Sequence, residues 1–554
     1  MSFLDNDFLK GTDWRAVERA IARTMSHCGW HDVRVVGGTG DGGGDILAIR
    51  SEGSRNAVFV VQVKAVTGGN YVGRAAIEEV KDALTLYSGN VGVVATNGDF
   101  ADSTLRRRDE LNAVGFDIRL WNGATLVDIL RQWPECHHDK FVELRPYQRD
   151  IVELCLSRHA SGQTRCQFVV ATGLGKTAIA SEIVARLLAA GFKRALVLCH
   201  QSDLALQLEQ AFWRQIGKSI PTRVFFEGVP PKPIDGINFG LYQTLVSYLS
   251  GINPTEYDVV VIDEAHHALA HGFRRCLSHL RPHFLIGMTA TPWRGDGASI
   301  ETLFGPPVAQ VSLVEGMQMG FLAKVDYRIF SDTIDWHDLS RHTRGQMTIR
   351  DLNKRLFIPQ RDEAVIAEVA KICREVPDPH GIVFCASVEH AERFAELLST
   401  LSPMACKVIS GIDRRIRQRT LMDFGAGHIP FVAAVDVLNE GIDVPDVNLI
   451  VFLRSTHSRR IFVQQLGRGL RISERKKSVI VADFVTDIRR LAAVMEMDRD
   501  ARVPQSKYCT LRFDSGVVRF EGGQPIPFVD QWLKDVADLA DADEAYKLTF
   551  PEDV

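Results

Sequence analysis

The sequence predicts an α/β protein made of three consecutive blocks in which strands and helices alternate. Short, continuous apolar runs recur along most of the chain, and each is followed by a helical pattern. Continuous apolar runs are typical of parallel strands that are buried on both faces of a sheet. The length of 554 residues predicts three or four domains, at roughly 100–200 residues per domain.

The first block, residues 1–132, reads as helix, three strands, helix, strand, helix, strand and helix. The turn-forming residues that separate these runs support the division. We expect strands at Val33–Val36, Asp45–Ile49, Val58–Val63, Val91–Ala95 and Phe116–Leu120, and helices at 13–28, 72–87, 102–114 and 124–132. Pro134 and the polar residues up to Lys140 predict a linker over 133–141.

Two further blocks follow, and each predicts a mostly parallel sheet. The second block, 142–334, has strand patterns at Cys166–Ala171, Ala195–Cys199, Val259–Ile262 and Phe284–Gly287. A polar stretch over 335–362 connects it to the third block, 363–488, with strand patterns at Gly381–Cys385, Val408–Ser410, Phe431–Val435, Leu449–Phe452 and Val479–Ala482. Residues 489–554 carry weaker patterns, and we expect a short C-terminal extension there.

The composition bounds the class of protein. The net charge of −4 gives no global sign of nucleic-acid binding, so any such binding must depend on local basic patches. The ten cysteines are scattered without a CxxC pair, which fits a reducing cytoplasm. No apolar run approaches the roughly 20 residues that a membrane span needs. We expect a cytoplasmic protein without a membrane partner.

The segment ATGLGKT, residues 171–177, ends a predicted strand and precedes a predicted helix. Backbone N–H groups of such a loop bind phosphate oxygens, here around Thr172, Gly173 and Gly175. Lys176 would reach the β- and γ-phosphates, and the Thr177 hydroxyl would ligate magnesium. The strict GxxxxGK[ST] pattern fails because position 170 is Val, but the strand–loop–helix placement still predicts a nucleoside triphosphate site.

The segment VVVIDEAHH, residues 259–267, is a second apolar strand that ends in two carboxylates. Carboxylates at a buried strand end are costly unless they meet a cation. Asp263 would therefore hold magnesium, and Glu264 would orient and deprotonate the attacking water. Taken alone, these residues are also compatible with the acidic first turn of a helix; following the phosphate loop in this order, they favour the hydrolytic interpretation.

These motifs resemble the helicases and translocases of superfamily 2, specifically the group with the motor subunits of type I and type III restriction enzymes. LRPYQ (144–148), GMTATP (287–292), VLNEGIDVP (437–445) and QQLGRGLR (464–471) match further motifs of that group. The resemblance implies two tandem RecA-like domains that bind ATP and Mg²⁺. It assigns adenine contact to Gln148, further ATP contacts to Gly441, Asp443 and Gln464, and coupling of hydrolysis to movement to His266, Thr289 and Thr291.

Arg468 and Arg471 have a separate physical argument. Residues three apart share one face of a helix, and charge that develops on the γ-phosphate needs cations that arrive as the cleft closes. We therefore expect both arginines to act as catalytic cations supplied by the second RecA-like domain. The alternative is a surface helix with ordinary charges.

A second constellation lies in the first block. The glycine-rich turn GTGDGGGDILAI (38–49) places Asp45 at the start of a strand, and the next strand contains Gln62-Val63-Lys64. Alternation puts Gln62 and Lys64 on one face of that strand, where Asp45 can meet both if the strands pair. A carboxylate for magnesium and a cation near the scissile phosphate are what phosphodiester cleavage needs. Separately, each segment could be only a hairpin turn or a chance match.

Together with VGVVATNGDF (91–100) and WNGATLVDIL (121–130), these segments resemble the Mrr-like branch of the restriction-endonuclease fold. The resemblance implies a restriction-endonuclease-like α/β domain with Asp45, Gln62 and Lys64 as catalytic residues and Glu18 as a second metal contact. Many relatives of the wider fold have Glu where this chain has Gln62, and a neutral ligand binds magnesium less strongly.

The two resemblances together imply an ATP-dependent DNA translocase or helicase fused to a metal-dependent DNA endonuclease, acting in restriction or antiviral defence. Its partners would be single- or double-stranded DNA and a further subunit that supplies specificity. Two alternatives stay open. One is a DNA-repair helicase whose N-terminal domain binds DNA without cutting it, and the other is an ATP-switched subunit of a larger assembly.

Overall fold

The structure is a computed structural model in which two compact units are distinguished. It describes residues 3–10, 13–36, 44–52, 55–67, 70–132, 143–226, 228–290, 300–330, 347–348, 362–401, 404–412, 414–425, 427–435, 447–453, 476, 478–484, 518–521 and 547–548. The first unit comprises Met1–Cys166, Thr177–Asp263 and Ala270–Ile286, and the second Gln167–Lys176, Glu264–Leu269 and Gly287–Val554. Among the described helices, none has the length and apolar character required to cross a bilayer.

The N-terminal sheet has five strands in the order β1-β2-β3-β5-β7. Its strands are β1 His31–Val35, β2 Ile46–Glu52, β3 Arg55–Lys64, β5 Val91–Thr96 and β7 Ile118–Trp121, and a separate pair is formed by β4 Tyr71–Val72 and β6 Asp99–Phe100. β1, β2 and β3 pair antiparallel, whereas β3, β5 and β7 pair parallel. The helices are α1 Asn6–Leu9, α2 Trp14–His27, α3 Ala75–Leu86, α4 Asp102–Ala113 and α5 Gly123–Arg131.

Helix α2 begins at a side-chain cap. The Asp13 carboxylate accepts hydrogen bonds from the backbone N–H groups of Arg15 and Ala16, which satisfies two of the otherwise unpaired donors of the first turn. Apolar side chains at helical spacing, Val17, Ile21 and Met25, are buried, and the helix packs against β1, β2 and β3. The pattern predicted over 13–28 is therefore the helix that covers this sheet.

The central sheet has seven strands in the order β10-β11-β9-β12-β13-β8-β14. They are β8 Arg165–Val170, β9 Arg194–Cys199, β10 Thr222–Val224, β11 Gly236–Leu241, β12 Val259–Asp263, β13 Phe284–Thr289 and β14 Gln310–Val311. The helices are α6 Pro146–Ala160, α7 Lys176–Ala189, α8 Ser202–Trp213, α9 Tyr242–Tyr248, α10 His271–His279, α11 Glu301–Phe304 and α12 Leu313–Gln318.

The C-terminal sheet also has seven strands, in the order β18-β19-β17-β20-β21-β15-β22. The elements of this part of the chain are β15 Lys324–Phe330, β16 Met347–Thr348, α13 Asp362–Glu375, β17 Gly381–Phe384, α14 Val388–Ser399, β18 Cys406–Val408, α15 Arg414–Gly425, β19 Phe431–Ala434, β20 Leu449–Phe452, β21 Ser478–Phe484, β22 Val518–Glu521 and β23 Lys547–Leu548. The recorded strand pairs of this sheet are all parallel.

Strand β15 lies in a different sheet from the one that its sequence position suggested. The expected boundary at residue 334 assigned it to the second block, but β15 pairs with β21 along its whole length and also with β22. Strand β22 comes from the expected C-terminal extension, and β16 of the expected connection pairs with β23. The C-terminal sheet thus recruits strands from both sides of the 363–488 block.

Candidate nucleotide and nuclease sites

The segment 171–177 forms the turn between β8 and α7. Gly173 has φ 87° and Gly175 has φ 84°, a left-handed conformation that costs a residue with a Cβ about 1–2 kcal/mol. Leu174 between them is buried, so the loop is anchored to the core at its centre. Lys176 is the first residue of α7, and the N-terminus of a helix favours anions.

Glu264 follows β12 directly and has the left-handed φ of 46°, which is uncommon for a non-glycine residue and concentrates at functional sites. Lys176 Nζ lies 3.3 Å from Glu264 Oε1, and His266 Nδ1 lies 3.4 Å from Glu264 Oε2. Burial alone would raise the pKa of the Glu264 carboxyl, but the opposing attraction of Lys176 and His266 outweighs it and lowers the pKa. The carboxylate is therefore ionised at neutral pH.

His266 extends these contacts to the next motif. Its Nδ1 lies 2.9 Å from Oγ1 of Thr289 at the end of β13, and both side chains are buried. A continuous set of contacts, Lys176–Glu264–His266–Thr289, therefore links the phosphate loop to the motifs at the ends of β12 and β13. The coupling role of His266 and Thr289 stays a prediction, and their place in this set of contacts is compatible with it.

The remaining predicted nucleotide residues of the described part of the chain lie on β12, on α7, in the loop before α7 and on α6. Asp263 is buried at the end of β12, Thr177 is the second residue of α7, and Thr172 lies in the loop between β8 and α7. Gln148 caps α6, since its Oε1 accepts a hydrogen bond from the Arg145 backbone N–H at 2.9 Å. Predicted residues that lie outside the described part of the chain are Thr291, Gly441, Asp443, Gln464, Arg468 and Arg471.

In the N-terminal sheet, Asp45 and Gln62 meet as the strand pairing predicts. Asp45 Oδ2 accepts hydrogen bonds from Gln62 Nε2 at 2.8 Å and from the Val63 backbone N–H at 2.6 Å. Asp45 is 3% exposed and Gln62 is 4% exposed. Among the described residues, Gln62 Oε1 is buried without a hydrogen-bond partner, and an unpaired buried acceptor is costly unless a ligand occupies it.

Lys64 ends β3 and forms an ion pair with Glu79 of α3. The sequence analysis did not single out Glu79. A signal for it exists, because α3 connects the parallel strands β3 and β5 and must pack back onto them, and α3 does contact both strands. The ion pair holds the Lys64 ammonium at the end of β3, the strand that also carries Gln62. Both Lys64 and Glu79 are partly exposed.

The residues of the candidate nuclease site provide some of the oxygen ligands that a divalent cation needs. Asp45 supplies a carboxylate and Gln62 Oε1 an unpaired amide oxygen, and oxygen donors are what Mg²⁺ prefers. Within the described residues no group of three or more His, Cys, Asp or Glu side chains is arranged to hold a metal. Glu18 is buried on α2, and its role as a second metal contact stays a prediction.

Three family models match consecutive parts of the chain. Residues 9–130 match the model described as restriction endonuclease, residues 141–294 the model of the type III restriction enzyme res subunit, and residues 364–473 the helicase conserved C-terminal domain. The matched ranges contain Asp45 with Gln62 and Lys64, Lys176 with Glu264, and Arg468 with Arg471, respectively.

Individual relatives carry related descriptions. The chain is 30% identical over 434 residues to the "Type I restriction enzyme EcoAI endonuclease subunit" of Escherichia coli, covering 69% of this chain and 53% of the relative. It is 25% identical to the "Putative mitochondrial ATP-dependent helicase irc3" of Schizosaccharomyces pombe, covering 63% of this chain and 59% of the relative. The chain therefore spans between half and three fifths of the length of these relatives.

One solved structure supports the fold at low sequence identity. It is described as "ATP-dependent Type ISP restriction-modification enzyme LlaBIII bound to DNA", is 16% identical, and matches with a TM-score of 0.52 over 98% of this chain and 42% of the other. The likeness concerns the α/β architecture of the N-terminal, central and C-terminal sheets.

Proposed function

Because the chain carries an Mrr-type restriction endonuclease domain followed by the two domains of a superfamily 2 helicase, we propose that it is an ATP-driven DNA translocase that also cuts DNA. The observation that carries this proposal is the set of contacts from Lys176 through Glu264 and His266 to Thr289. These contacts connect Lys176, which would bind the phosphates, to Glu264, which would accept a proton from the attacking water. Through His266 they also connect Glu264 to Thr289 of the motif assigned to coupling.

The Lys176 ammonium, which would contact the phosphates of ATP, lies 3.3 Å from Glu264 Oε1. ATP phosphates would compete for the Lys176 ammonium, because they carry more negative charge than one carboxylate. Glu264 would then be released from Lys176, and with His266 still beside it the carboxylate would accept the proton of the attacking water. Thr177 and Asp263 would hold Mg²⁺, which when bound neutralises charge on the phosphate oxygens.

In the nuclease domain, Asp45 and Gln62 Oε1 would hold Mg²⁺, which supplies a polarised water and a Lewis acid when bound. Lys64 lies on the same face of β3 as Gln62 and would donate to the scissile phosphate or orient the attacking water. Glu79 restrains the Lys64 ammonium through their ion pair. The neutral Gln62 weakens metal binding relative to a glutamate, so we expect cutting to need millimolar Mg²⁺ or the stronger-binding Mn²⁺.

The biological setting that fits both activities is restriction of foreign DNA. Two relatives are named as endonuclease subunits of type I restriction enzymes, and a subunit works together with other proteins in a complex. We propose that a partner subunit or a DNA structure supplies specificity to this chain.

DNA-stimulated ATP hydrolysis tests the motor. Wild type is expected to hydrolyse ATP faster when DNA is added, and Lys176→Ala is expected to lose at least 100-fold of this rate, in line with roughly 2.7 kcal/mol for removing one transition-state donor. Steady hydrolysis that DNA does not change would contradict the translocase proposal and favour an ATP-switched role.

Cleavage of plasmid and linear DNA tests the nuclease. With Mg²⁺ and ATP, wild type is expected to cut and Lys64→Ala to lose cutting while keeping DNA-stimulated ATP hydrolysis. Lys81→Ala is a matched control, since Lys81 lies on α3 and forms only an exposed ion pair with Glu78. If wild type hydrolyses ATP on DNA without cutting under any metal, the N-terminal domain is a DNA-binding module.

A further inference from the structure

Four charged side chains and one histidine are buried where the N-terminal domain meets the first motor domain, inside the first compact unit. We call Arg19, Arg23, His27, Glu209 and Lys218 the docking cluster; Arg19, Arg23 and His27 lie on α2 and Glu209 on α8. All five are at most 7% exposed. Buried cations are rare in proteins unless they are paired, so the partners of each decide what the cluster does.

Arg23 binds two backbone carbonyls of the motor domain. Its Nη1 donates to Ile220 O at 2.9 Å and its Nη2 to Gly217 O at 3.0 Å. On the other side, its Nε donates to Nε2 of His27 at 3.3 Å and its guanidinium lies 4.0 Å from the centre of the Phe3 ring. The planar fork of arginine thus spans from the nuclease domain to one turn of the motor domain, a geometry that lysine cannot reproduce.

Arg19 meets the acid of the cluster. Its Nε lies 3.1 Å from Glu209 Oε2, and the two side chains are almost fully buried. The other Glu209 oxygen accepts a hydrogen bond from the Thr222 hydroxyl at 2.7 Å. Removal of Arg19 would leave a buried carboxylate without its cation, which is strongly unfavourable.

Lys218 makes the reverse connection, from the motor domain to the nuclease domain. Its ammonium donates to the carbonyl of Leu130 near the end of α5, where the last carbonyls of a helix lack partners within the helix. The Phe3 backbone N–H donates to Lys218 O at 2.7 Å. Three separate segments of the nuclease domain, the N-terminus, α2 and α5, therefore contact the stretch from Glu209 to Ile220.

Separation of the two domains would leave these buried charged groups without their partners. It would break the contacts of Arg19, Arg23 and Lys218 at the same time. Helix α2 also packs on β2 and β3, which carry or adjoin Asp45, Gln62 and Lys64. We infer that the docking cluster fixes the nuclease site rigidly to the first motor domain, and that Arg23 is a positioning residue for cutting. This inference rests on the proposed function where its test uses DNA cleavage.

The first test maps where DNA is cut when the motor is stopped. Linear duplex DNA carries streptavidin on a biotinylated base, which stops the motor. This DNA is treated with wild type, Arg23→Ala or Arg23→Lys, and the cut sites are read at nucleotide resolution. The two domains are joined in sequence by residues 133–142, and a random-coil chain of roughly ten residues has a root-mean-square length of about 18 Å. That length corresponds to about five base pairs at 3.4 Å each.

Wild type is expected to cut in a narrow window of positions. In both Arg23 variants this window is expected to widen by about five base pairs. Their rates of DNA-stimulated ATP hydrolysis should stay within about twofold of the wild-type rate. Arg131→Ala, which removes an arginine of α5 whose side chain is 75% exposed, is the matched control and should keep the narrow window. A spread in Arg23→Ala equal to that of wild type would overturn the inference.

The second test does not depend on cutting. Hydrogen–deuterium exchange in full-length Arg23→Ala is expected to be at least tenfold faster over Gly217–Ile220 of the motor domain, and unchanged over β12. Unchanged exchange at Gly217–Ile220 would overturn the inference. If wild type never cuts DNA, the proposed nuclease function fails, and the exchange result alone then decides whether the domains are docked.

Discussion

Two oppositely charged side chains, Lys176 and Glu264, lie at the centre of the proposed nucleotide site. Glu264 is held in a left-handed backbone conformation and in contact with Lys176 and His266. A backbone of this kind costs about 1–3 kcal/mol, so the surrounding contacts must hold the residue there. The result is a carboxylate fixed at the end of β12, already ionised and next to the lysine that ATP phosphates would attract.

The depressed pKa of Glu264 sets a pH dependence. Because its folded-state pKa lies below the ordinary value of 4.5, the stabilisation from its charge is complete above pH 4.5 and is lost as pH falls toward the depressed value. The difference in Tm between wild type and Glu264→Gln should therefore stay constant from pH 6 to pH 8 and shrink below pH 4. A difference that disappears between pH 6 and pH 7 would contradict the lowered pKa.

Gly175 is predicted to be intolerant of a side chain. Its φ of 84° would cost alanine about 1–2 kcal/mol, and relaxation of the strain would move the loop's N–H groups. Gly175→Ala should weaken ATP binding about 5- to 30-fold, measured by titration with a fluorescent ATP analogue. Gly162→Ala, with the same φ on an open surface turn, controls for the backbone strain alone.

Gln62 gives a prediction for the nuclease site. In Gln62→Glu the side chain can no longer donate to Asp45 Oδ2, and two buried carboxylates repel each other. Without metal, we expect the variant to lose about 1–3 kcal/mol of stability, and with Mn²⁺ to regain more than wild type gains. Differential scanning fluorimetry with EDTA and with Mn²⁺ measures both. An equal response of the two proteins to Mn²⁺ would argue against metal binding between these side chains.

At the scale of elements, the sequence predicted strands well where apolar runs were continuous. The predicted strands of all three sheets correspond to observed strands, with ends displaced by at most a few residues. Strand β11 was not predicted because its sequence, GINFGL, contains two glycines, which have low strand propensity. Every residue of this strand is buried. Strand β15 was recognised neither as a strand nor as part of the C-terminal sheet, since nothing local in a sequence specifies a distant partner.

The Tyr327–Asp483 contact tests the pairing of β15 with β21. The Tyr327 hydroxyl donates to Asp483 Oδ2, and both residues are buried. Tyr327→Phe removes that donor from a buried carboxylate and should destabilise the second unit by about 1–3 kcal/mol, read from the thermal unfolding of the full chain. Asp326→Asn on the same strand, with a partly exposed side chain, should have a smaller effect.

The candidate sites were predictable to different degrees. Asp45 and Gln62 could be paired from strand alternation, because the hairpin of β2 and β3 brings them together. The docking cluster could not, since it depends on how a helix packs against residues distant in sequence. Glu79 was missed although α3 must pack back onto the two parallel strands that it connects. His266 and Thr289 were assigned from motif resemblance, and their 2.9 Å contact supplies a physical reason for that assignment.

At the scale of the whole molecule, the chain combines two proposed catalytic sites. Matches to a restriction endonuclease model, to a type III restriction enzyme res subunit model and to a helicase C-terminal domain model lie in consecutive segments. Residues of the N-terminal domain contact the first motor domain through buried charges. We propose that ATP hydrolysis drives DNA cutting by this chain.

The most direct measurement compares cutting of linear DNA with Mg²⁺ and ATP by wild type and Glu264→Gln, with Glu182→Gln of the α7 surface as control. Glu264→Gln should bind ATP, because Lys176 and the phosphate loop are intact, but it lacks the base and should hydrolyse ATP at least 100-fold more slowly. We predict that it leaves the DNA uncut while both other proteins cut. Cutting by Glu264→Gln at the wild-type rate would show that ATP binding suffices, and would contradict the account.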